Sequence, residues 1–166
     1  MATAEPRSGQ QRKADTVAKL SEPSADVWVA SASTADDGPA GHGPAGHGSP
    51  HPYLVPLSLA WIDERVVIAL ESDSRTARNI VEHGTARLGL GPTRDVVIID
   101  AVLDRAVGLD DVPGLAERYA DQADWDPRST AGRYVFLLLR PDRIQAWREA
   151  NELPGRTLMR GGSWVV

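Results

Sequence analysis

Apolar positions in this chain recur at two spacings, and the switches between them mark out its elements. Val17 and Leu20 stand among alanines between Ala14 and Ser21, a pattern that predicts a short helix ended by Pro23. The polar residues from Met1 to about Ala14 are expected to be loose. Asp26 to Thr34 is rich in β-formers and alternates from Val29 onward, which predicts a strand. Tyr53 to Ile62 and Arg65 to Leu70 flank Asp63-Glu64 at hairpin spacing. Pro56 lacks a ladder donor, so its stretch belongs at an edge, at a bulge or where something else approaches. Ser74 to His83 reads as a helix stopped by Gly84. Ala86 to Gly91 and Val96 to Ala106 are two further strands. Pro113 to Ala123 is a helix with Leu115, Ala116, Tyr119 and Ala120 on one face. Tyr134 to Leu139 and Arg143 to Trp147 flank Pro141-Asp142, which predicts another hairpin. Leu153 to Val166 suits a closing ribbon around Gly161-Gly162.

These elements total about seven strands and two or three short helices, joined mostly by tight turns. Such a chain folds as an antiparallel sheet, and closing it into a barrel removes the sheet edges. The expected class is therefore mainly β with short helices, built on a six- to seven-stranded antiparallel barrel. Residues 1–25 are expected to form a flexible segment with the short helix, 26–150 the barrel domain and 151–166 the tail or ribbon. Within 36–50, Gly-Pro-Ala-Gly-His-Gly occurs at 38–43 and again at 43–48, too rich in glycine and proline to bury a core.

Composition narrows the function. The chain has 166 residues, 42% of them hydrophobic and 25% charged, the balance of one globular domain. No apolar run approaches the roughly 20 residues of a membrane helix, and no apolar signal core follows Met1, so the expected location is the cytoplasm without membrane association. Zero cysteines exclude disulfides and thiolate chemistry. A net charge of −5 without a basic tail argues against nucleic-acid binding. Sixteen of the 18 cations are arginines, whose rigid forks suit carboxylates and phosphates.

The stretch with most chemistry is Ser72 to Ile80. At 100° per residue, Ala77, Ile80 and Val81 share one face, and Arg75, Arg78, Asn79 and Glu82 the opposite one. A strand thus runs into a helix whose first turn offers Ser74 and Thr76 hydroxyls, free N–H groups and two arginines. That set binds phosphate. It also describes an N-capped surface helix with solvated arginines, and spacing alone leaves both readings open.

Ser74-Arg75-Thr76-Ala77-Arg78-Asn79-Ile80 resembles a helix-start motif of the pyridoxamine 5'-phosphate oxidase-like split barrels, which bind FMN or deazaflavin. His51 to Ser58 is similar to the strand that faces the ring system in that family. Leu139 to Trp147 resembles its late Arg-Pro-x-x-(Val/Ile)-x-x-Trp strand. The resemblance spans about Asp26 to Trp147 and implies a flavin-binding split barrel acting as an oxidoreductase, a homodimer that passes a hydride to a small-molecule acceptor. It also implies roles. Ser74, Arg75 and Thr76 match the phosphate-contacting run, with Arg78 and Asn79 just behind. Val55, Pro56, Leu57 and Ser58 match the ring-facing strand. Trp147 matches an aromatic that closes over the cofactor across the dimer interface. Leu59 and Thr76 stand where the oxidases carry lysines, and Leu70 where many members carry threonine. The motif is more like the actinobacterial deazaflavin-dependent branch, so the implied cofactor is a deazaflavin of the F-420 type or FMN. A non-catalytic FMN- or haem-binding carrier is the alternative.

The remaining candidates carry less. His42 and His47 sit in the glycine repeat without carboxylates nearby, and no metal site is expected. His51 begins a strand and His83 ends a helix, where positive charge suits the dipole. Trp28, Trp61 and Trp164 read as core or interface filler. The acidic stretch from Asp110 to Asp126 lacks the ligand spacing of a calcium loop.

Overall fold

The computed structural model describes residues 5–33 and 51–166. The glycine repeat, with His42 and His47, lies outside the described residues. The elements are α1 (Gly9–Leu20), β1 (Asp26–Ser33), β2 (His51–Ile62), β3 (Arg65–Glu71), α2 (Arg75–His83), β4 (Thr85–Leu90), β5 (Val96–Gly108), α3 (Leu115–Ala123), β6 (Tyr134–Trp147), β7 (Thr157–Arg160) and β8 (Ser163–Trp164). Six strands close in the order β3-β2-β1-β4-β5-β6, with β6 returning to β3, and all pairings are antiparallel. The expected class is what forms. β7 and β8 continue the sheet beyond β6 as the predicted ribbon, turning at Gly161 and Gly162, both at positive φ. No helix among the described residues is long and apolar enough to cross a membrane.

Alternation places the core. Val27 and Val29, Leu59, Val66 and Ile68, Leu88, Ile99 and Leu137 point into the barrel and are buried. A second layer forms outside it, where Ala60, Ile62, Val67, Ala69, Phe136 and Leu138 meet Leu115, Ala116, Tyr119 and Ala123 of α3. β3 is thus buried on both faces, which explains its unbroken run Val66-Val67-Ile68-Ala69-Leu70. The β2–β3 turn puts Asp63 and Glu64 at φ 51° and 58°, the left-handed pair that a tight hairpin requires.

Three expectations are corrected. Tyr134 to Trp147 is one continuous strand, not a hairpin. Along one edge it leaves β3 after Leu139 and meets β7 at Ile144, while a bulge at Pro141-Asp142 interrupts its ladder with β5. A proline at such a junction breaks no regular ladder, so the strand passes through it. Second, the first helix starts at Gly9 rather than Ala14, with Ser8 Oγ accepting from the Gln11 N–H. Its early turns lack an apolar stripe because polar contacts dock them. Arg12 is buried and donates to the Glu152 carbonyl at 3.2 Å. Arg7, with 10% of its side chain exposed, pairs with Asp15, Asp95 and Glu152 at 2.7, 3.2 and 2.8 Å. The third correction concerns α2: Val81 is exposed and Asn79 is buried, the reverse of the expected faces. Asn79 Nδ2 donates to Ser31 Oγ at 3.0 Å, which pulls its side of the helix onto β1.

Candidate functional site

β3 ends at Glu71, and three residues later Ser74 begins α2 as its N-cap, its Oγ accepting from the Ala77 N–H at 3.2 Å. Of the first-turn donors, that bond uses Ala77 and the helix uses Arg78; those of Arg75 and Thr76 have no intrahelical partner. Gly84 closes the helix in the left-handed conformation, its N–H donating to Ile80. Beside the helix start lies β2, whose residues 51–58 pair with β1 on one side only, because β3 pairs with β2 only from Leu59. Pro56 therefore sits on a single-neighbour stretch, as expected. The Arg75 guanidinium lies 5.1 Å from the centre of the Tyr53 ring and makes no ion pair among the described residues. This stacking brings the helix start and the strand edge together. Both belong to the set expected from sequence.

The other predicted residues divide by what already occupies them. Ser74 is committed to its cap and Asn79 to Ser31. Thr76 is buried. Arg78 is exposed and donates to the Asp73 carbonyl at 2.5 Å. Val55 and Leu57 turn inward against the core, while Pro56 faces out. Ser58 donates to Asp26 at 3.1 Å, and its carbonyl accepts the Tyr119 hydroxyl at 3.2 Å. Burial pushes the Tyr119 phenol up to about 12, so it stays protonated and able to donate.

No family model and no curated protein matches the sequence. Solved structures do match in shape. An F420 reductase superposes with TM-score 0.55 at 15% identity, over 76% of this chain and 93% of that one. A candidate pyridoxamine 5'-phosphate oxidase from Listeria innocua gives 0.56 at 11%, over 82% and 98%. A heme binding protein from Mycobacterium smegmatis gives 0.60 at 14%, over 96% of this chain and 60% of that one. The chain has the pyridoxamine-phosphate-oxidase-like split-barrel fold.

Within the split barrel, Trp147 stands apart from the α2 site. It faces outward at the end of β6, opposite Val96, with the Arg156 guanidinium 5.6 Å from its ring centre. The C-terminal end of α2 meets the same strand β5 seven residues further on, where the Leu103 N–H donates to the Gly84 carbonyl. At about 3.3 Å per residue that is roughly 20 Å. The ring partner of Trp147 is Arg156, whereas Arg75 lies against Tyr53. Leu59 and Leu70 fill the barrel interior.

One feature escaped the sequence reading. A groove of about 490 Å³ runs across the outer face of β1, β4 and β5, floored by Ala30 and Ala32 and bounded by Pro52, Thr85, Arg87 and Asp100. The signal was present in Ala30-Ser31-Ala32-Ser33: small residues at every position leave a depression on whichever face they line. Among the described residues, no group of three histidines or carboxylates is placed to hold a metal ion.

Proposed function

We propose that this chain is a cytoplasmic homodimeric oxidoreductase that holds a phosphate-bearing flavin-type cofactor, FMN or the F-420 type deazaflavin, and passes a hydride between it and a small organic acceptor. The observation that carries the reading is Arg75. It is a first-turn arginine without a carboxylate partner, stacked on the strand edge that the family resemblance assigns to the ring. Its guanidinium and the spare N–H groups of Arg75 and Thr76 supply donors of the kind a phosphate takes. Arg78 would add charge rather than a second fork, since one of its donors is spent.

The bound ring would supply the hydride chemistry, and the protein's share is to bind, orient and exclude water. Ser58 is positioned for orientation: the Tyr119 hydroxyl holds its carbonyl, so the segment 55–58 presents a fixed backbone edge. Val55 and Leu57 brace that edge from inside the barrel. No side chain is assigned as acid, base or nucleophile. Dimerisation would bring a partner's Trp147 toward the cofactor, and the exposed Trp28 and Leu54 on the outer face of β1 and β2 provide apolar surface to bury.

A non-catalytic carrier of FMN or haem is the second reading. It is favoured by Leu59 and Leu70, which fill positions that are polar in some of the resembled proteins. Titrating the purified chain with FMN, the deazaflavin coenzyme and haem, followed by turnover with a reductant, separates the two. Binding of FMN or deazaflavin with turnover supports the oxidoreductase; haem binding alone supports the carrier. Sedimentation that shows a monomer binding cofactor at full strength removes the dimer and the role of Trp147.

A further inference from the structure

A second recess lies at the other end of β3 from α2, where the β2–β3 turn meets the start of α3 and a second bulge of the β5–β6 ladder, between Leu103 and Arg105. It has a volume of about 190 Å³. Ile62, Leu115 and Leu138 form an apolar wall, and Arg65, Arg105 and Arg118 stand around it. We propose that this recess binds a short aliphatic carboxylate, its chain against Ile62, Leu115 and Leu138 and its charged end at Arg105.

The charge balance selects an anion. Arg118 makes a two-pronged contact with Asp63 at 2.7 and 2.9 Å, and Arg65 pairs with Asp104 at 2.6 Å. Arg65 also donates to the Asp63 carbonyl at 2.9 Å. Both carboxyls are held below their usual range, Asp63 by the Arg118 contact and Asp104 by that of Arg65, and both remain ionised at neutral pH. Arg105 and Arg140 also act on Asp104 through their charge. Three arginines and the Asp63 carboxylate line the recess, and Asp104 is paired with Arg65, so three cations face two anions in a protein whose net charge is −5. Arg105 is the cation left over: it is exposed and donates none of its five N–H groups to another described residue. α3 starts at the recess with Gly114 as N-cap and no side-chain cap, which adds partial positive charge on the same side.

The apolar wall selects what the anion carries. Ile62, Leu115 and Leu138 are each about 5% exposed, so their accessible remnant opens into the recess. At about 30 Å³ per water, the recess holds roughly six. A chain of five or six carbons would displace those waters from apolar surface while its carboxylate stays at the mouth. The inference does not depend on the flavin reading, since the recess and α2 lie at opposite ends of β3.

Titration of the full chain with hexanoate, followed by methyl and amide NMR, tests it. Shifts should localise to Ile62, Leu115, Leu138 and Arg105, with a Kd of about 1 mM. Hexanol, which lacks the charge, and inorganic phosphate, which lacks the chain, should each bind at least about tenfold more weakly. Arg105→Glu should abolish binding, whereas Arg94→Glu, an equal charge change at an exposed position, should leave it within about twofold. No localised shift at about 10 mM hexanoate overturns the site, about tenfold above the Kd that ligand efficiency allows. Equal binding of phosphate overturns the apolar half, and equal loss in both variants reduces the effect to the general field.

Discussion

Arg7 and Arg75 are the same residue type in opposite surroundings. Arg7 is nearly buried among three carboxylates, two of them far off in sequence, and it also donates its backbone N–H to Glu152 at 2.9 Å. Glu152 is 3% exposed and accepts in addition from the Arg148 N–H at 2.7 Å. Every strong group in that cluster is answered by another, and the cluster fastens α1 to the barrel. Arg75 has an aromatic ring beneath it and no carboxylate beside it. A buried charge with full partners is architecture; a half-buried cation without one is available to a ligand. Charge count alone does not distinguish them, but partner satisfaction does.

The contrast is broken most severely at Glu152. Glu152→Gln should cost about 2–4 kcal/mol, because it leaves buried Arg7 with weaker partners. A chain of this length should then lose roughly 5–15 °C in Tm. Cofactor affinity should not change, and calorimetry with ligand titration reads both. Acid makes the same cut. The Arg7 guanidinium and two backbone N–H groups hold the Glu152 carboxyl at about 2, below its usual 4.5. Because the folded value is depressed, the stabilisation is complete above about 4.5 and lost as pH falls toward 2. Glu152→Gln should therefore flatten the stability–pH curve across that window.

Arg75→Ala should show the inverse pattern. It should weaken FMN or deazaflavin binding about 10- to 150-fold, the loss of a charge-assisted contact of about 1.5–3 kcal/mol. Stability should move by less than about 0.5 kcal/mol. Arg75→Lys should recover part of the affinity, since an ammonium lacks the fork. Parental affinity in Arg75→Ala would place the phosphate elsewhere.

Asn79→Ala sharpens the division within α2. It should cost about 1–2 kcal/mol in stability by stranding Ser31 Oγ, with a smaller change in cofactor affinity. An affinity loss as large as that of Arg75→Ala would return Asn79 to the ligand side. The smallest effect is expected at Arg94, which pairs with Glu149 at 2.6 Å but is 79% exposed. Arg94→Ala should change stability by less than about 0.5 kcal/mol and binding not at all. Chemical denaturation of the five variants ranks them.

The sequence by itself determined most strand positions, β6 excepted, along with the turn at Asp63-Glu64, the capped start of α2 at Ser74 and the closing ribbon. Each depends on period, propensity or turn chemistry within about ten residues, which is the range over which those forces act. Arg75 and the β2 strand were joined in one candidate site by the family resemblance, carried by separate motifs at 51–58, 74–80 and 139–147. Only the tertiary structure decided which neighbours those elements took. β6 runs through Pro141 because its partner changes from β3 to β7 there. Asn79 turns inward because Ser31 waits on β1, 48 residues away. Arg7 is tied down by Glu152, 145 residues distant. The grooves and recesses arise where separate strands and helices leave space between them. No local pattern encodes such pairings, because each side chain alone is equally content in water; burial against a distant partner is what assigns its face and its role.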